Sequence, residues 1–228
     1  MSDPLSSRVE AEWVKMLREV FGEYLKANVR TSVPGHVLRF DPATQLAEVQ
    51  IGLMLEDRLG NTDQRRPIVR VPVQFWGATG GTIECKVGSG AEGVIFFSQE
   101  CIDSWVDQGG VAVKSEPRRF SINDAYFVPG FRSVPGAISG FANNGIRLRS
   151  NDGGTYAWLK DDKSIEMSNG AGFIRIGADG TVNINGVTIT PQGLVTTQND
   201  VYAGLISLKT HKTSGVQAGN GTSSVPIP

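Results

Sequence analysis

The sequence predicts an all-β protein that begins with one helix, continues into a small barrel and ends in a ribbon of short strands. Apolar residues between residues 33 and 130 recur mostly with the period of two that is typical of strands. Glycine accounts for 28 of the 228 residues, and 15 of these glycines lie in residues 133–228. Residues 1–132 hold 32 of the 45 charged residues, so the composition changes within the Pro- and Gly-marked run 127–136, which indicates a domain boundary.

Composition and charge exclude several classes of protein. The formal net charge is -1, which argues against a strongly basic nucleic-acid-binding protein, and we expect no nucleic-acid partner. No run approaches the roughly 18 consecutive apolar residues of a membrane span, and the opening residues lack the pattern of a signal peptide. Two cysteines, Cys85 and Cys101, are too few for a disulfide scaffold, so we expect buried free thiols in a reducing compartment.

The first segment, residues 1–31, predicts an amphipathic helix. Ser7 and Glu10 have the spacing of a capping box, in which both side chains satisfy amides at the start of a helix. One apolar stripe follows with three- and four-residue spacing: Val9, Trp13, Met16, Leu17, Val20, Tyr24 and Leu25. This stripe is equally consistent with packing on the helix's own domain and with docking on a partner or on copies of itself.

Residues 32–132 predict a small antiparallel barrel or sandwich. Their strand-like runs are 33–40, 45–51, 68–75, 83–87 and 93–98. The runs are short and no long helix separates them, which favours an antiparallel arrangement.

Residues 133–208 predict one short strand after another with a tight turn after each. The apolar pairs are Ile146/Leu148, Ile165/Met167, Ile174/Ile176, Val182/Ile184 and Val187/Ile189. The turn signals between them are 151–154, 168–170, 178–180 and 185–186. From residue 164 to 208 only Glu166, Arg175, Asp179 and Asp200 are charged.

Such a ribbon has no hydrophobic interior of its own. A buried Val or Ile stabilises the fold by roughly 1.5–3 kcal/mol, while ordering each residue costs roughly 1–2 kcal/mol of backbone entropy. The sequence shows no fixed repeat that would let the ribbon coil on itself. We therefore expect an obligate oligomer whose shared core is built from Ile165, Met167, Ile174, Ile176, Val182, Ile184, Val187 and Ile189.

Motifs for catalysis or cofactor binding are weak. Residues 88–93 match G-x-G-x-x-G, but a strand-like run follows instead of the helix that dinucleotide binding requires, so we expect a turn. Glu100, Asp103, Asp107 and Asp124 show no spacing that marks an isolated catalytic pair. With only His36 and His211, neither an ordinary zinc site nor a Ser-His-Asp triad is indicated, and we expect no enzyme activity.

The order of these parts resembles the central spike proteins of contractile phage tails, the membrane-puncturing tail spikes. The most specific stretches are 68–75, the run 87–98, Ile102-Asp-Ser-Trp105 and the segment 118–130, which ends in Asp124-Ala and Pro129-Gly130. The resemblance implies an OB-fold domain at 32–132, an intertwined trimeric β-helix at 133–208 and a pointed tip at 209–228. It also implies a structural protein of the virion, made in the host cytoplasm and placed at the tip of the tail baseplate.

The same resemblance implies partners and a metal. The chain would form a homotrimer, attach to tail hub proteins and puncture the host outer membrane when the sheath contracts. Such spikes end in a His-x-His pair whose three copies hold one iron. Here His211 is present but Thr213 stands at the second position, so one iron per trimer would have three imidazoles and at most three hydroxyls.

Two other classes of function remain open at this point. A tail protein that degrades host glycans would use paired carboxylates, and a receptor-binding tail protein would expose varied or aromatic loops at its tip. The Gly-, Ser- and Thr-rich segment 213–228 contains no aromatic residue, which argues against the receptor-binding alternative.

Overall fold

The computed structural model describes residues 4–57, 59–212 and 219, without the side chains of residues 4–11 and 27. Two compact units result, Met1–Ala137 and Ile138–Pro228. The first unit contains helices α1 (Pro4–Asn28) and α2 (Asp103–Gln108) and strands β1 (Ser32–Asp41), β2 (Leu46–Ile51), β3 (Leu55–Glu56), β4 (Thr62–Asp63), β5 (Ile68–Pro72), β6 (Trp76–Ala78), β7 (Gly81–Ile83), β8 (Glu92–Phe97) and β9 (Ala125–Pro129).

The second unit contains only strands among its described residues. They are β10 (Gly145–Arg149), β11 (Tyr156–Lys160), β12 (Ile165–Ser168), β13 (Phe173–Ile176), β14 (Val182–Ile184), β15 (Val187–Ile189), β16 (Val195–Thr196), β17 (Tyr202–Ala203) and β18 (Ile206–Ser207). No helix among the described residues of either unit has both the length and the apolarity that crossing a membrane would require.

The first unit is built on a half-barrel of five antiparallel strands in the order β5-β2-β1-β8-β9. The two outer strands approach each other, since Val73 and Phe127 form a parallel bridge and Gln74 N donates to Phe127 O at 2.9 Å. Inward side chains alternate along each strand and fill the interior. The buried apolar core is Val37, Ala47, Val49, Ile51, Ile68, Val71, Val73, Ile95, Phe97, Ala125 and Phe127.

Four of the five strands predicted for this unit are confirmed in place, and one is wrong. The run 83–87 was expected to be a strand, but the strand there is β7, which ends at Ile83 and pairs only with β6. The period of two at 83–87 therefore comes from an irregular segment, not from a barrel strand. Strand β9 was not predicted, although Phe127 at its centre is completely buried.

The glycine-rich segment 88–93 is a turn that runs directly into β8, as predicted. Gly90 has φ +82°, and its N–H donates to Val37 O at 2.8 Å. Gly93 lies where a Cβ would come within 2.4 Å of the Phe127 ring and of Val128 O, so glycine is required for the close packing of β8 on β9. The glycines therefore serve the half-barrel.

A buried carboxylate holds the long segment between β8 and β9. Asp124 is fully buried and accepts from Arg118 Nε at 2.7 Å, from Arg118 Nη2 at 2.9 Å and from Ile102 N at 3.1 Å. Burial by itself would raise the pKa of Asp124, but the hydrogen bonds from Arg118 and Ile102 outweigh burial and hold that pKa below its usual value. Arg118 also pairs with Asp103 and Glu116, both at 2.6 Å.

The second unit is an antiparallel meander in which each strand pairs with the next. Its main sheet has the order β10-β11-β12-β13-β14-β15-β16. Asn185 and Gly186, between β14 and β15, have φ of +49° and +93°, the two positive values of a type I′ hairpin turn. The predicted turns are thus confirmed here and at Gly170 and Gly180, both with positive φ.

Helix α1 contacts little of its own unit. From residue 12 to 26 every described side chain is exposed except at Gly22. Trp13, Phe21 and Tyr24 have 59–62 % of their surface open to solvent. The alternative in which the apolar stripe packs on the helix's own domain is therefore wrong for these residues, whereas the predicted capping side chains of Ser7 and Glu10 lie outside what the structure describes.

We predict that Arg118→Met destabilises the first unit by about 3–5 kcal/mol, because Asp124 would remain buried without its cation. Glu116→Gln removes an exposed partner of the same arginine and should cost less than about 1 kcal/mol. Urea unfolding at pH 7 measures both effects.

The acid dependence provides a second readout of the same ion pair. Because folding lowers the pKa of Asp124, its stabilising contribution is complete above the unfolded pKa of about 3.9 and is lost as the pH falls through the lower folded pKa. The difference between the wild type and Arg118→Met should therefore shrink as the pH falls through the folded pKa of Asp124. Equal losses for Arg118→Met and Glu116→Gln would contradict the assignment.

Candidate functional site

The main sheet of the second unit has one continuous apolar face. Cross-strand register aligns two rows of side chains on this face. The first row is Ile146, Leu159, Ile165, Ile176, Val182, Ile189 and Val195, and the second is Leu148, Ala157, Met167, Ile174, Ile184 and Val187. All eight residues predicted for an oligomer core belong to these rows, so the alternation read from sequence places them on one face.

This apolar face is uncovered among the described residues. Ile146 is 71 % exposed and Leu148 is 62 % exposed, and six of the eight predicted core residues, from Ile165 to Val187, are also exposed. A contiguous apolar surface of this kind marks a site that another surface covers. The structure, which contains a single chain, places the residues together but does not itself contain the partner.

The opposite face of the same sheet is polar and its side chains contact one another. Tyr156 Oη donates to Glu166 Oε1 at 2.5 Å, and Lys160 Nζ donates to Glu166 Oε2 at 2.6 Å. The bond to Glu166 raises the pKa of Tyr156, while the bonds from Lys160 and Tyr156 lower the pKa of Glu166, so the proton stays on the phenol. The Arg147 guanidinium lies over the Tyr156 ring at 4.1 Å.

Strand length and charge both decrease along the sheet. Strands β10 and β11 have five residues each, β12 and β13 four, β14 and β15 three, and β16 two. On the polar face, the row that begins with Arg147, Trp158, Glu166 and Arg175 continues with Asn183, Thr188 and Thr196. The sheet therefore narrows, and its last strands carry no charge on this face.

His211, the predicted metal ligand, is exposed near the end of the described chain. Its Nδ1 lies 3.1 Å from Leu208 O, and in the tautomer that donates this hydrogen bond Nε2 is the nitrogen left for a metal. This arrangement fits an imidazole ligand. Thr213, which replaces the second histidine, lies outside the described residues, so its part in a metal site stays a prediction.

A turn stabilised by Asp200 precedes His211. The Asp200 carboxylate accepts from Ser207 Oγ, from Val201 N at 2.8 Å and from Lys209 N at 3.0 Å. These hydrogen bonds, led by the one from Ser207, lower the pKa of Asp200. The His211 N–H donates to Ser207 O at 3.0 Å, so the same turn positions the histidine.

The four carboxylates considered for glycan hydrolysis all lie in ion pairs with Arg or Lys. Glu100 pairs with Lys114 at 2.7 Å, and Asp107 pairs with Arg70 at 2.5 Å. Asp103 and Asp124 both pair with Arg118. Together with Cys101 they have the spacing of a metal site, but the positive charge beside them is the Arg118 guanidinium. This geometry differs from two carboxylates with opposed environments on either side of a cleft.

The first unit also contains two free cysteines and a groove beside the half-barrel. Cys101 is buried as expected, but Cys85 is exposed because the predicted strand 83–87 does not form there. Cys85 lines a groove of about 830 Å³ together with Phe40, Phe75 and Val87. The groove combines apolar residues with the titratable side chains of Glu84, Cys85 and Lys86.

Sequence reasoning missed part of the apolar face. Leu159 and Ala157 join it from β11, and Val195 joins it from β16. The signal in β11 was obscured because its alternating positions hold Tyr156 and Trp158, whose aromatic rings lie on the polar face. Apolar character alone therefore does not assign the face there, although the period of two does.

Comparison with known proteins bears on the first unit. Residues 33–130 match the family model described as Phage protein Gp138 N-terminal domain. The matched segment coincides with the half-barrel, from β1 to the end of β9. A search of curated proteins gave no match. This match supports a phage structural protein.

Proposed function

We propose that this protein is the central spike of a contractile phage tail or a related injection particle, and that three copies form a shaft that punctures the host outer membrane. The single observation that carries the proposal is the bare apolar face of a sheet whose strands shorten from five residues to two. The match of residues 33–130 to a phage protein domain supports it independently, since it is found in the same chain.

The apolar face explains why three copies would assemble. Each side chain of the two rows gains roughly 0.8 kcal/mol for every methylene that is removed from water. Three sheets that turn these faces toward one axis would cover the rows, because each neighbour supplies the apolar surface that a single chain lacks. The polar face, which is held by its own Glu166 contacts, would then form the outside.

The narrowing sheet explains why the assembly would be pointed. In a shaft made of three equal sheets, the circumference at each level is set by the number of residues per strand, at about 3.3 Å each. Strands of five residues at β10 and two at β16 would therefore produce a taper. Backbone hydrogen bonds continue from strand to strand along the sheet, so bending the shaft would break several at once.

The half-barrel is proposed as the adaptor between the tail hub and the shaft. Its strand order, closed by one parallel bridge between Val73 and Phe127, supports an OB-fold. The ion-paired carboxylates around Arg118 support a structural role over glycan hydrolysis. Release of reducing ends from host polysaccharide would instead favour the glycan-degrading alternative.

We predict that Ile184→Asp prevents trimer formation, because three unpaired carboxylates would meet on the apolar axis. Asn183→Asp is the matched control, since Asn183 is the adjacent residue on the polar face and its Oδ1 accepts from Gly186 N as a carboxylate also would. Light scattering gives the mass of each purified variant. A trimer of Ile184→Asp, or a monomeric wild type, would overturn the proposal.

The uncharged outer face of β14 to β16 predicts the behaviour of the shaft at a membrane. Each charge introduced there costs about 2.5–3.5 kcal/mol on insertion scales, so Thr188→Lys combined with Thr196→Lys should reduce leakage from lipid vesicles. Arg175→Lys keeps the charge on the same face and serves as the control. Equal leakage from the wild type, the double lysine variant and Arg175→Lys would show that the lack of charge on the outer face of β14 to β16 is unrelated to membrane passage.

The tip is proposed to hold one iron per trimer through three copies of His211. Elemental analysis of the purified protein should find about one iron atom per three chains, and His211→Ala should lose it while remaining a trimer. Iron that is retained after His211→Ala, or a wild type that takes up none from iron-supplemented medium, would contradict the site.

A further inference from the structure

We infer that the α1 helices of the three protomers pack against one another as a helical bundle, which forms a second contact between copies, separate from the sheet face. The inference rests on the proposed trimer, and it concerns a different surface. It starts from the exposure of α1, whose side chains from residue 12 to 26 contact almost nothing in their own unit.

The described part of α1 has a broad apolar face. Residues seven apart repeat, with Trp13 above Val20 and Leu17 above Tyr24, which is the a/d pattern of packed helices. Val14 and Phe21 extend the face on one side of these rows, and Met16 extends it on the other. A helix in a bundle of three contacts two neighbours, so its apolar stripe is wider than the narrow seam of a pair.

The size of this face suits an interface between copies. A buried aromatic side chain covers roughly 150–250 Å², and Trp13, Phe21 and Tyr24 are each about 60 % exposed. With the aliphatic side chains of Val14, Met16, Leu17, Val20 and Leu25, α1 offers roughly 500–700 Å², close to the roughly 800 Å² per partner of a stable interface. An exposed apolar surface of this size usually marks a site that another protein surface covers.

The charges of α1 favour identical helices as the partner. The described residues carry three acidic and three basic side chains: Glu12, Lys15, Arg18, Glu19, Glu23 and Lys26. A helix with balanced charge does not repel its own copies, whereas docking on a strongly charged partner would select a complementary excess. Lys26 and Glu23 already pair at 2.9 Å along the helix surface, and Glu23, seven residues after Met16, lies at the edge of the apolar face.

Assembly of the shaft would bring the helices together. Threefold symmetry places equivalent segments of three chains at the same height around one axis. The helices of an assembled trimer would then meet within one complex, which raises their effective concentration above that of free chains. Only residues 29–31 separate α1 from β1, so α1 stays close to the half-barrel of its own chain.

Cysteine cross-linking in the full-length chain tests the bundle. Val20→Cys places a thiol in the centre of the apolar face, and Lys15→Cys places one on the opposite, polar side as the matched control. Both are made with Cys85→Ser, which removes the exposed native thiol, whereas Cys101 is buried. We expect a short bifunctional thiol reagent to join chains at least about tenfold faster through position 20 than through position 15.

Mass measurement on the same samples separates the possible failures. A trimer that cross-links at position 20 and not at position 15 supports the bundle. A trimer that cross-links at neither position, or equally at both, overturns the bundle and leaves the proposed spike intact. A monomer removes the proposed trimer and the bundle with it. Tyr24→Cys, four residues further along the same face, repeats the test if Val20→Cys does not fold.

Discussion

The structure depends on one constraint, which is that the second unit has an apolar sheet face and no layer of its own to cover it. A protein domain normally packs two layers around a shared core, and the half-barrel of the first unit does so by curling until Val73 and Phe127 meet. The sheet of the second unit is a single layer of short strands in the described residues. Copies of the same chain would cover this apolar face without any additional segment of sequence.

In the proposed assembly, the apolar face of that sheet contacts other copies of the chain and the polar face contacts the surroundings. On the polar face, Glu166 binds both Tyr156 and Lys160, and Arg147 stacks on the rings beside it, whereas Arg147 Nε and Trp158 Nε1 are buried without a hydrogen-bond partner. The proposed assembly would therefore depend on the apolar rows of the other face. From β10 to β16 the strands become shorter and the polar face loses its charged residues. The narrow end of the sheet is therefore also its uncharged end.

The first unit follows a different principle, because its stability is contained within one chain. Its core is apolar and closed, and Asp124, the one fully buried carboxylate among the described residues, is paired with Arg118. The proposed adaptor role would depend on this independence, since the domain would have to keep its shape while transmitting force to another protein. Helix α1 in the same unit lacks this independence. Its apolar stripe is exposed to solvent, as is the apolar sheet face of the second unit.

The sequence by itself determined the strands and turns of the ribbon. Local chemistry decides them: the period of two assigns Ile165 to Ile189 to one face, and Asn185-Gly186 permits the two positive φ values of a hairpin. It also determined that Gly88 to Gly93 is a turn, because a strand-like run follows it. The common face of the eight residues predicted for an oligomer core was predictable for the same reason, whereas the oligomer itself stays a prediction.

The tertiary structure determined the features that depend on contacts between residues far apart in the sequence. The expected strand at 83–87 does not form because its partner β6 begins at Trp76, which pairs with Ile83, and Cys85 beyond this pair is exposed. Arg118 meets Asp124 and Asp103 only because the segment between β8 and β9 folds back on itself. The exposure of α1 likewise required the structure, since an amphipathic stripe has the same pattern whether its own domain or a copy covers it.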